Sequence, residues 1–504
     1  MKRAGLVSGS LAWVLCGLLL GAPALALERA SDSDITVWVK MALREDPLVH
    51  AEKVTVATDD GIVRLSGSVE SLVAKKRADL EAKKVQGVRG VLNQISVTPV
   101  LRSDSDIVQH VRRRILNDAV IESQGIRVSS LAGKVTLRGE VATWAEAQQA
   151  ELLASEVRGV TEVENQLTTT FPTTRSDQEI KNDTVAALGR DVYLVDLPIS
   201  VTVHDGVVTL AGSVGSPFEK GRATRDVRWI ANVSSVDNRL EVKPWEAQDT
   251  RKSPPHPSNA ALRTAVREAL AQDVRVDDLD IQVTASSGAV TLEGSVPNHV
   301  QKRIAQEDAR DVLGVGWVGN QLFAETDERE DWAIENDIGF DFDTDFSLEN
   351  LDLGVKVTDG VASLTGTVHD WYQKSHAAAV AGRVRGVRGV INEIHLSRTV
   401  EAGRAHSRAA VADAIRSRFK WHWATHWIAD RIDVSVKDGV ATLSGEVDSW
   451  AQRREAGRVA FDTEGVWKVE NRLSVKGYDY DWEDWDSDFP SWGNDYWNDY
   501  DDWG

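Results

Sequence analysis

Residues 61–67 read "GIVRLSG" and follow the alternating run "KVTVATDD" at 53–60. Asp60-Gly61 is the dipeptide that best tolerates the positive φ angles of a tight turn, so this stretch predicts a β-hairpin. Val63, Leu65, Gly67 and Val69 share one face of the second strand, and the glycine on that apolar face predicts close approach of a helix backbone. The string recurs as "GKVTLRG" at 133, "GVVTLAG" at 206, "GAVTLEG" at 288, "GVASLTG" at 360 and "GVATLSG" at 439. Twenty-six residues after the last glycine of each string stands an asparagine: Asn93, Asn165, Asn238, Asn320, Asn392 and Asn471. Asp-Gly itself returns at 205–206, 359–360 and 438–439. Self-similarity at a fixed period marks a repeat architecture.

Working outward, the copies span 31–98, 103–170, 176–243, 258–325, 328–398 and 406–476. Before each hairpin lies a short amphipathic helix, with Ile35, Val39 and Ala42 on one face in the first copy and Ile107 and Val111 in the second. After each hairpin a helix N-cap is expected at Ser71, Thr143, Ser216, Asn298, Asp370 and Ser449. Three places on, Glu146, Glu219, Gln301, Gln373 and Gln452 complete a capping box; the first copy has Ala74 there. Seven residues past the cap stands Ala78, Ala150, Ala223, Ala305, Ala377 or Ala456, opening a seam of small residues that lets the helix lie flat on a sheet. A final strand, "GVRGVLNQISV" in the first copy, closes the unit. The prediction is an α+β chain of six tandem α-β-β-α-β units, each a three-stranded sheet covered by two helices. A unit of this size buries only ~60% of its unfolded surface, so contacts between neighbours are expected to matter. The joint at 244–257 has four prolines, predicts a stiff spacer and divides the units into two groups of three.

The ends have their own chemistry. Residues 1–26 combine Lys2 and Arg3, an apolar run through Leu20 and the small residues Ala24 and Ala26, the anatomy of a secretory signal cut after Ala26. The apolar run is shorter than the ~20 residues of a membrane span, so no transmembrane segment is expected once the signal is removed. Cys16 is the only cysteine, which leaves the mature protein without disulfide, thiolate nucleophile or cysteine metal site. Loss of Lys2 and Arg3 takes the net charge from -20 to -22, a poor electrostatic footprint for nucleic acid. Residues 477–504 hold ten acidic residues, ten aromatic residues and no Lys or Arg. They follow neither a helical nor a strand period and are expected to be a disordered tail, either solubilising or available to a basic or apolar partner.

Together the Gly-x-Val-x-Leu-x-Gly hairpin and the Gly-Val-x-x-Val-x-Asn run before the last strand resemble the BON domain family. The resemblance covers nearly all of 31–476. It implies an exported protein of a Gram-negative periplasm with no known catalytic centre and no cofactor, which attaches to phospholipid or to envelope proteins and supports the envelope in osmotic stress. A protein-binding scaffold or chaperone-like adaptor is the alternative.

No catalytic residue presents itself, and the candidates for contact are basic and aromatic. Lys75, Lys76, Arg77, Lys83, Lys84 and Arg89, together with Arg112, Arg113 and Arg114, would form a local basic patch for anionic lipid, or else a solvated helix face. Trp144, Trp371 and Trp450 stand in the first helical place after the N-cap, where an exposed ring would enter a headgroup layer or anchor a partner and a covered one would seal its own small core. His422 and His426 in "KWHWATHWIAD" sit four apart but lack a third ligand, so the metal reading competes with an aromatic extension packed on a neighbouring unit. Asp341, Asp343, Asp345, Glu349 and Asp352 are spaced like calcium-loop ligands, with Phe346 where the loop needs Gly.

Overall fold

The computed structural model describes residues 30–476 apart from 123–124, 171–174, 245–256, 327, 398–407 and 464, and it leaves out the side chain of Trp371. The segment expected to be a signal, most of the Pro-rich spacer and the acidic tail therefore lie outside the described residues.

Unit 1 shows the plan: α1 (Asp32–Glu45), β1 (Val54–Asp59), β2 (Ile62–Val69), α2 (Leu72–Lys83) and β3 (Gly90–Val97). β1 and β2 pair antiparallel and β2 and β3 parallel, giving the order β1-β2-β3, and the other five units repeat it. Both central residues of the turn have positive φ, 47° at Asp60 and 71° at Gly61, the mirror-image turn that matches strand twist. Their N–H groups donate to the Asp32 carboxylate at the start of α1, both at 2.9 Å. Asp104, Asp177 and Asp331 repeat that tie in units 2, 3 and 5. The first helix is thus pinned to the hairpin by a side chain that also suits its N-terminal dipole.

Gly67 (φ 111°) has a different neighbour from the one its position suggests. A Cβ there would lie 2.1 Å from the Lys53 carbonyl oxygen, and the equivalent glycines meet Gly125, Pro198, Asp280, Asp352 and Arg431 oxygens at 1.9–2.4 Å. The close approach is by the residue that precedes β1, which in units 1 and 6 ends a short 3-10 helix (Ala51–Lys53 and Ala429–Arg431), and not by the second helix.

The repeated asparagine has a cross-layer role. Asn93 donates from Nδ2 to the Lys75 carbonyl of α2 at 2.8 Å while its Oδ1 accepts from the Ile95 N–H at 3.2 Å. All six copies make the first bond, at 2.7–2.8 Å. One amide therefore fastens the parallel strand to the second helix. Asn165→Ala would remove the cross-layer donor to the Ala147 carbonyl and the side-chain acceptor of the Leu167 N–H. It should cost about 1–3 kcal/mol, and chemical unfolding that matched the parent would contradict this role.

The N-caps are as expected: each of the six side chains accepts from the backbone N–H three residues on. The partners reach one residue further back than a capping box requires. Glu146, Glu219, Gln373 and Gln452 accept from the N–H before the cap, and Gln301 turns instead to the Asp277 N–H. Ala78 and Ala82 are fully buried against Val63, Leu65 and Ile95, so the seam of small residues does seat α2 on the sheet.

Units associate through their helices in two ways. Units 1, 2 and 3 follow one another head to tail: Leu72 enters the core of unit 2, Trp144 packs on that of unit 3, and Phe218 of unit 3 returns to Leu80 of unit 1. In the second group Trp450 of unit 6 lies on Gly316 of unit 4 and His299 of unit 4 lies on Gly382 of unit 5. The groups then stack. Isolated antiparallel bridges join unit 1 to 6, unit 2 to 5 and unit 3 to 4. The six units form one body of two stacked groups of three, with helices inward and alternating sheet faces such as that of β1 (Thr55 and Ala57 turned from the core) outward. No helix among the described residues is long and apolar enough to cross a membrane.

Candidate functional site

The side chains singled out for contact mostly point into the junctions between units. Each junction begins from one acid at the end of a first helix: Asp46, Asp118, Asp191, Asp273 and Asp345. Their carboxylates accept from backbone N–H groups two or three residues on, forming a side-chain turn. A partner comes from the second helix, one place before the recurring Ala: Arg77 on Asp46, Gln149 on Asp118, Arg222 on Asp191 and His376 on Asp345, at 2.6–2.9 Å. Sequence reasoning missed this set. Its signal was an Asp 21 residues before the last glycine of the hairpin string in the first five copies, paired in four of them with a base or amide at a fixed place in the second helix, where the fourth copy has Ile304.

At the junction of units 2 and 5 this becomes a buried network. Arg383 grips Glu156 with both terminal nitrogens, at 2.8 and 3.1 Å. Arg114 donates to the Asp341 carbonyl at 2.6 Å, meets Asp345 at 3.2 Å and reaches Glu156 at 3.4 Å. Burial pushes the Asp345 carboxyl up, but His376 and Arg114 more than offset it and hold it below the usual carboxylate range. Asp341, less well matched, is pushed up to about 7 by burial despite Arg114. Glu156, Asp345 and His376 offer ligand atoms within 4.8 Å of one another, a metal-like spacing. Two guanidinium groups already fill that space, so the chemistry is that of an ion-pair network.

This places the calcium-like spacing. Asp341 and Asp345 end the helix Asp331–Thr344 and face Arg114, Glu349 pairs with Arg158 at 2.7 Å and with Arg102, and Asp343 and Asp352 are exposed elsewhere. The loop does not gather these acids around one point, because without the glycine turn the chain continues as helix through Thr344.

The two histidines are likewise in separate settings. His422 is buried where the other units have Asp, with its Nε2 3.1 Å from an Arg458 nitrogen. Burial, and then the Arg458 charge, depress its pKa well below the ordinary imidazole value. His426 turns its Nδ1 to the Trp423 carbonyl at 2.9 Å. The aromatic residues around them cross to neighbours: Trp421 is part of the core of unit 1, and Trp423 stacks on Phe218 of unit 3 with centroids 4.6 Å apart.

The basic residues do not form one free patch. Lys76 meets Glu151 of unit 2, Arg77 holds Asp46, Lys83 pairs with Asp79 and Lys84 with Glu81. Arg113 crosses to Asp337 at 3.0 Å and lies over the Phe340 ring, Arg114 is inside the network, and exposed Arg112 donates to the Val128 carbonyl. Lys75 stays half-buried on α2. Trp144 is partly buried beneath Arg228 of unit 3, Trp450 is buried against unit 4, and the Trp371 ring lies outside the described side chains.

Where units 3 and 4 meet beside unit 6 lies a partly open cavity of about 150 Å³, lined by Arg190, Arg222, Asp226, Trp229, Asp308 and Arg454 among others. Burial, reinforced by the Asp191 charge, pushes Asp226 up to about 8. Burial also raises Asp308, its counterpart in unit 4. A folded-state value above the ordinary carboxylate value means that folding favours the protonated acid. That advantage is whole below pH ~4 and is lost as pH rises toward 8. Asp226→Asn should therefore gain on the parent as pH rises, reaching a few kcal/mol by pH 8, since each tenfold change in proton affinity is worth ~1.4 kcal/mol. Melting temperatures of both chains at pH 5, 6.5 and 8 read this directly; a gap that stays constant would refute it. His422 and His299, whose values are depressed, weaken the fold only below about 6.5 and cancel in the comparison.

Among known proteins, the family model described as "BON domain" matches residues 31–99, 103–170, 176–244, 258–323, 331–398 and 407–477. Osmotically-inducible protein Y of Escherichia coli (strain K12) is 32% identical over 145 residues, 27% of this chain and 72% of that protein. Outer membrane lipoprotein DolP of Haemophilus influenzae is 30% identical over 138 residues, 26% of this chain and 71% of that protein. A solved structure of the C-terminal domain of CdsD, a type III secretion structural protein of Chlamydia trachomatis, aligns over 42% of this chain and all of its own, with 15% identity and a TM-score of 0.12. With six matched domains spanning nearly all of 31–477, the chain belongs to the BON domain family.

Proposed function

We propose that this chain is a non-enzymatic protein of a Gram-negative periplasm, exported by its signal, that attaches to phospholipid or envelope surfaces and supports envelope integrity in osmotic stress. The observation that carries this reading is its likeness to an osmotically inducible protein and an outer membrane lipoprotein, each over a stretch the length of two units. The body adds a physical constraint. The basic side chains of the patch on units 1 and 2 are largely engaged in internal ion pairs, so attraction of anionic lipid to that patch would find few free cations. Exposed apolar side chains on units 4 and 5 are better placed: Trp332 is 71% exposed, Phe323 58% and Ile391 50%.

The mature chain should therefore pellet with phospholipid vesicles with little dependence on salt, and Trp332→Ala with Phe323→Ala should release it without altering the fold. Steep loss of pelleting in salt would return the role to the basic residues. No pelleting with zwitterionic or anionic vesicles would favour the second reading, a protein-binding scaffold or chaperone-like adaptor. The burial of Trp144 and Trp450 between units supports that alternative, since it withdraws the rings best suited to a headgroup layer.

A further inference from the structure

Unit 1 pairs with unit 6 less completely than the other units pair. Two bridges join units 2 and 5, Asp118 to Val384 and Val157 to Asp345, and two join units 3 and 4, Asp191 to Val312 and Ile230 to Asp273. Among the described residues, units 1 and 6 share only Val85 to His422. Pro47 removes one of the two bonds that such a bridge uses. In five units the N–H after the junction acid, or after His422, donates to a carbonyl of the paired unit: Ala119 to Arg383, Val192 to Asp311, Val274 to Trp229, Phe346 to Glu156 and Trp423 to Lys84, at 2.8–3.2 Å. Unit 1 has Pro47 in that place, and proline has no N–H to give.

On this side the units part. A groove of about 760 Å³ opens between α1, the segment that follows it and the first helix of unit 6 (Arg408–Trp421). Its lining is mixed: Leu43, Val49 and Val411 form its floor but are buried in the cores of units 1 and 6, while Pro47 and Ala414 are open to it. The acids in the wall are already matched, Glu45 by Arg418 and Asp46 by Arg77. At the rim Lys40, Arg44 and His50 are exposed, against a single exposed acid, Glu52.

We propose that this groove is the docking site of the chain's own acidic-aromatic tail, residues 477–504. The tail has the complementary composition: carboxylates for Lys40 and Arg44, aromatic rings for Pro47 and Ala414 and to lie against the same cations, and no Lys or Arg to oppose them. It also starts on a unit that lines the groove. It leaves the last strand of unit 6 (Lys468–Val475), and unit 6 supplies the far wall of the groove through Val411 and Thr463. Twenty-eight residues reach up to ~90 Å when extended. Tethering raises the local tail concentration to the millimolar range, so a weak site is enough. The assignment does not depend on the lipid reading.

The test titrates a fluorescent synthetic peptide of residues 477–504 onto the mature chain lacking those residues, onto the intact mature chain, and onto the shortened chain carrying Lys40→Glu and Arg44→Glu. Every hydrophobic core described here is built from residues up to Val475, so the shortened chain retains all six. Saturable binding to the shortened chain is expected, at least tenfold weaker on the intact chain, where the tethered tail competes, and at least tenfold weaker on the double variant. Amides of residues 40–52 should also exchange faster when the tail is removed, a readout that needs no variant. Absence of saturable binding, or equal binding to all three chains, overturns the proposal. So would dimerisation of the shortened chain that the double variant abolishes, because the groove would then belong to a second copy.

Discussion

Arg383→Leu should cost about 3–5 kcal/mol at the junction of units 2 and 5, because it strips the bidentate partner from Glu156 and leaves a buried carboxylate with only Arg114 at 3.4 Å. Both residues are almost wholly buried, so water cannot replace the lost bonds. The measurement is amide exchange in the helices Asp104–Asn117 and Asp331–Thr344, since a chain of six units need not unfold in one step. The control that isolates the charge is Arg383→Leu with Glu156→Leu. Removing both charges should recover most of the loss, as replacing a buried pair by apolar groups of similar volume is often neutral or better. If the double variant were as unstable as the single, the junction would be held by shape and not by this ion pair.

The second large effect crosses units. Trp421 belongs to unit 6 by sequence, yet its ring is buried in the core that contains Val39, Leu65 and Ile95 of unit 1. Trp421→Ala should cost about 3–5 kcal/mol and should loosen unit 1 as much as unit 6, with faster exchange in β1, β2 and β3. Loss confined to unit 6 would mean that the two groups of three are only loosely associated. The outcome bears on function, because a body locked across its halves presents its outer faces in fixed relation, whereas loosely joined halves would engage a surface independently.

Local chemistry wrote the unit plainly. Hairpin turns with both central residues at positive φ, N-caps at Ser, Thr, Asn or Asp, the alanine seam and the alternating strands are short-range patterns, and each was readable within a dozen residues. The family resemblance rests on the same patterns. The spacing of the asparagines was equally plain, though its bond to the second helix was not. Side chains whose role depends on another unit were harder to place. Arg114 and Asp345 lie 231 residues apart along the chain and 3.2 Å apart in space. Nothing local distinguishes Arg114 from the solvated Arg112, or Trp450 from a ring free to enter lipid.

What the sequence by itself determined is therefore the α+β unit and its six-fold recurrence. Local backbone preference and hydrophobic period suffice for those. Only the tertiary structure decided that Arg77, Arg114, Trp144, Trp450 and the junction aspartates would meet inside. Whether a charged or aromatic side chain is solvated or buried depends on which surfaces the units cover in one another, and that is settled by contacts between helices far apart in the chain.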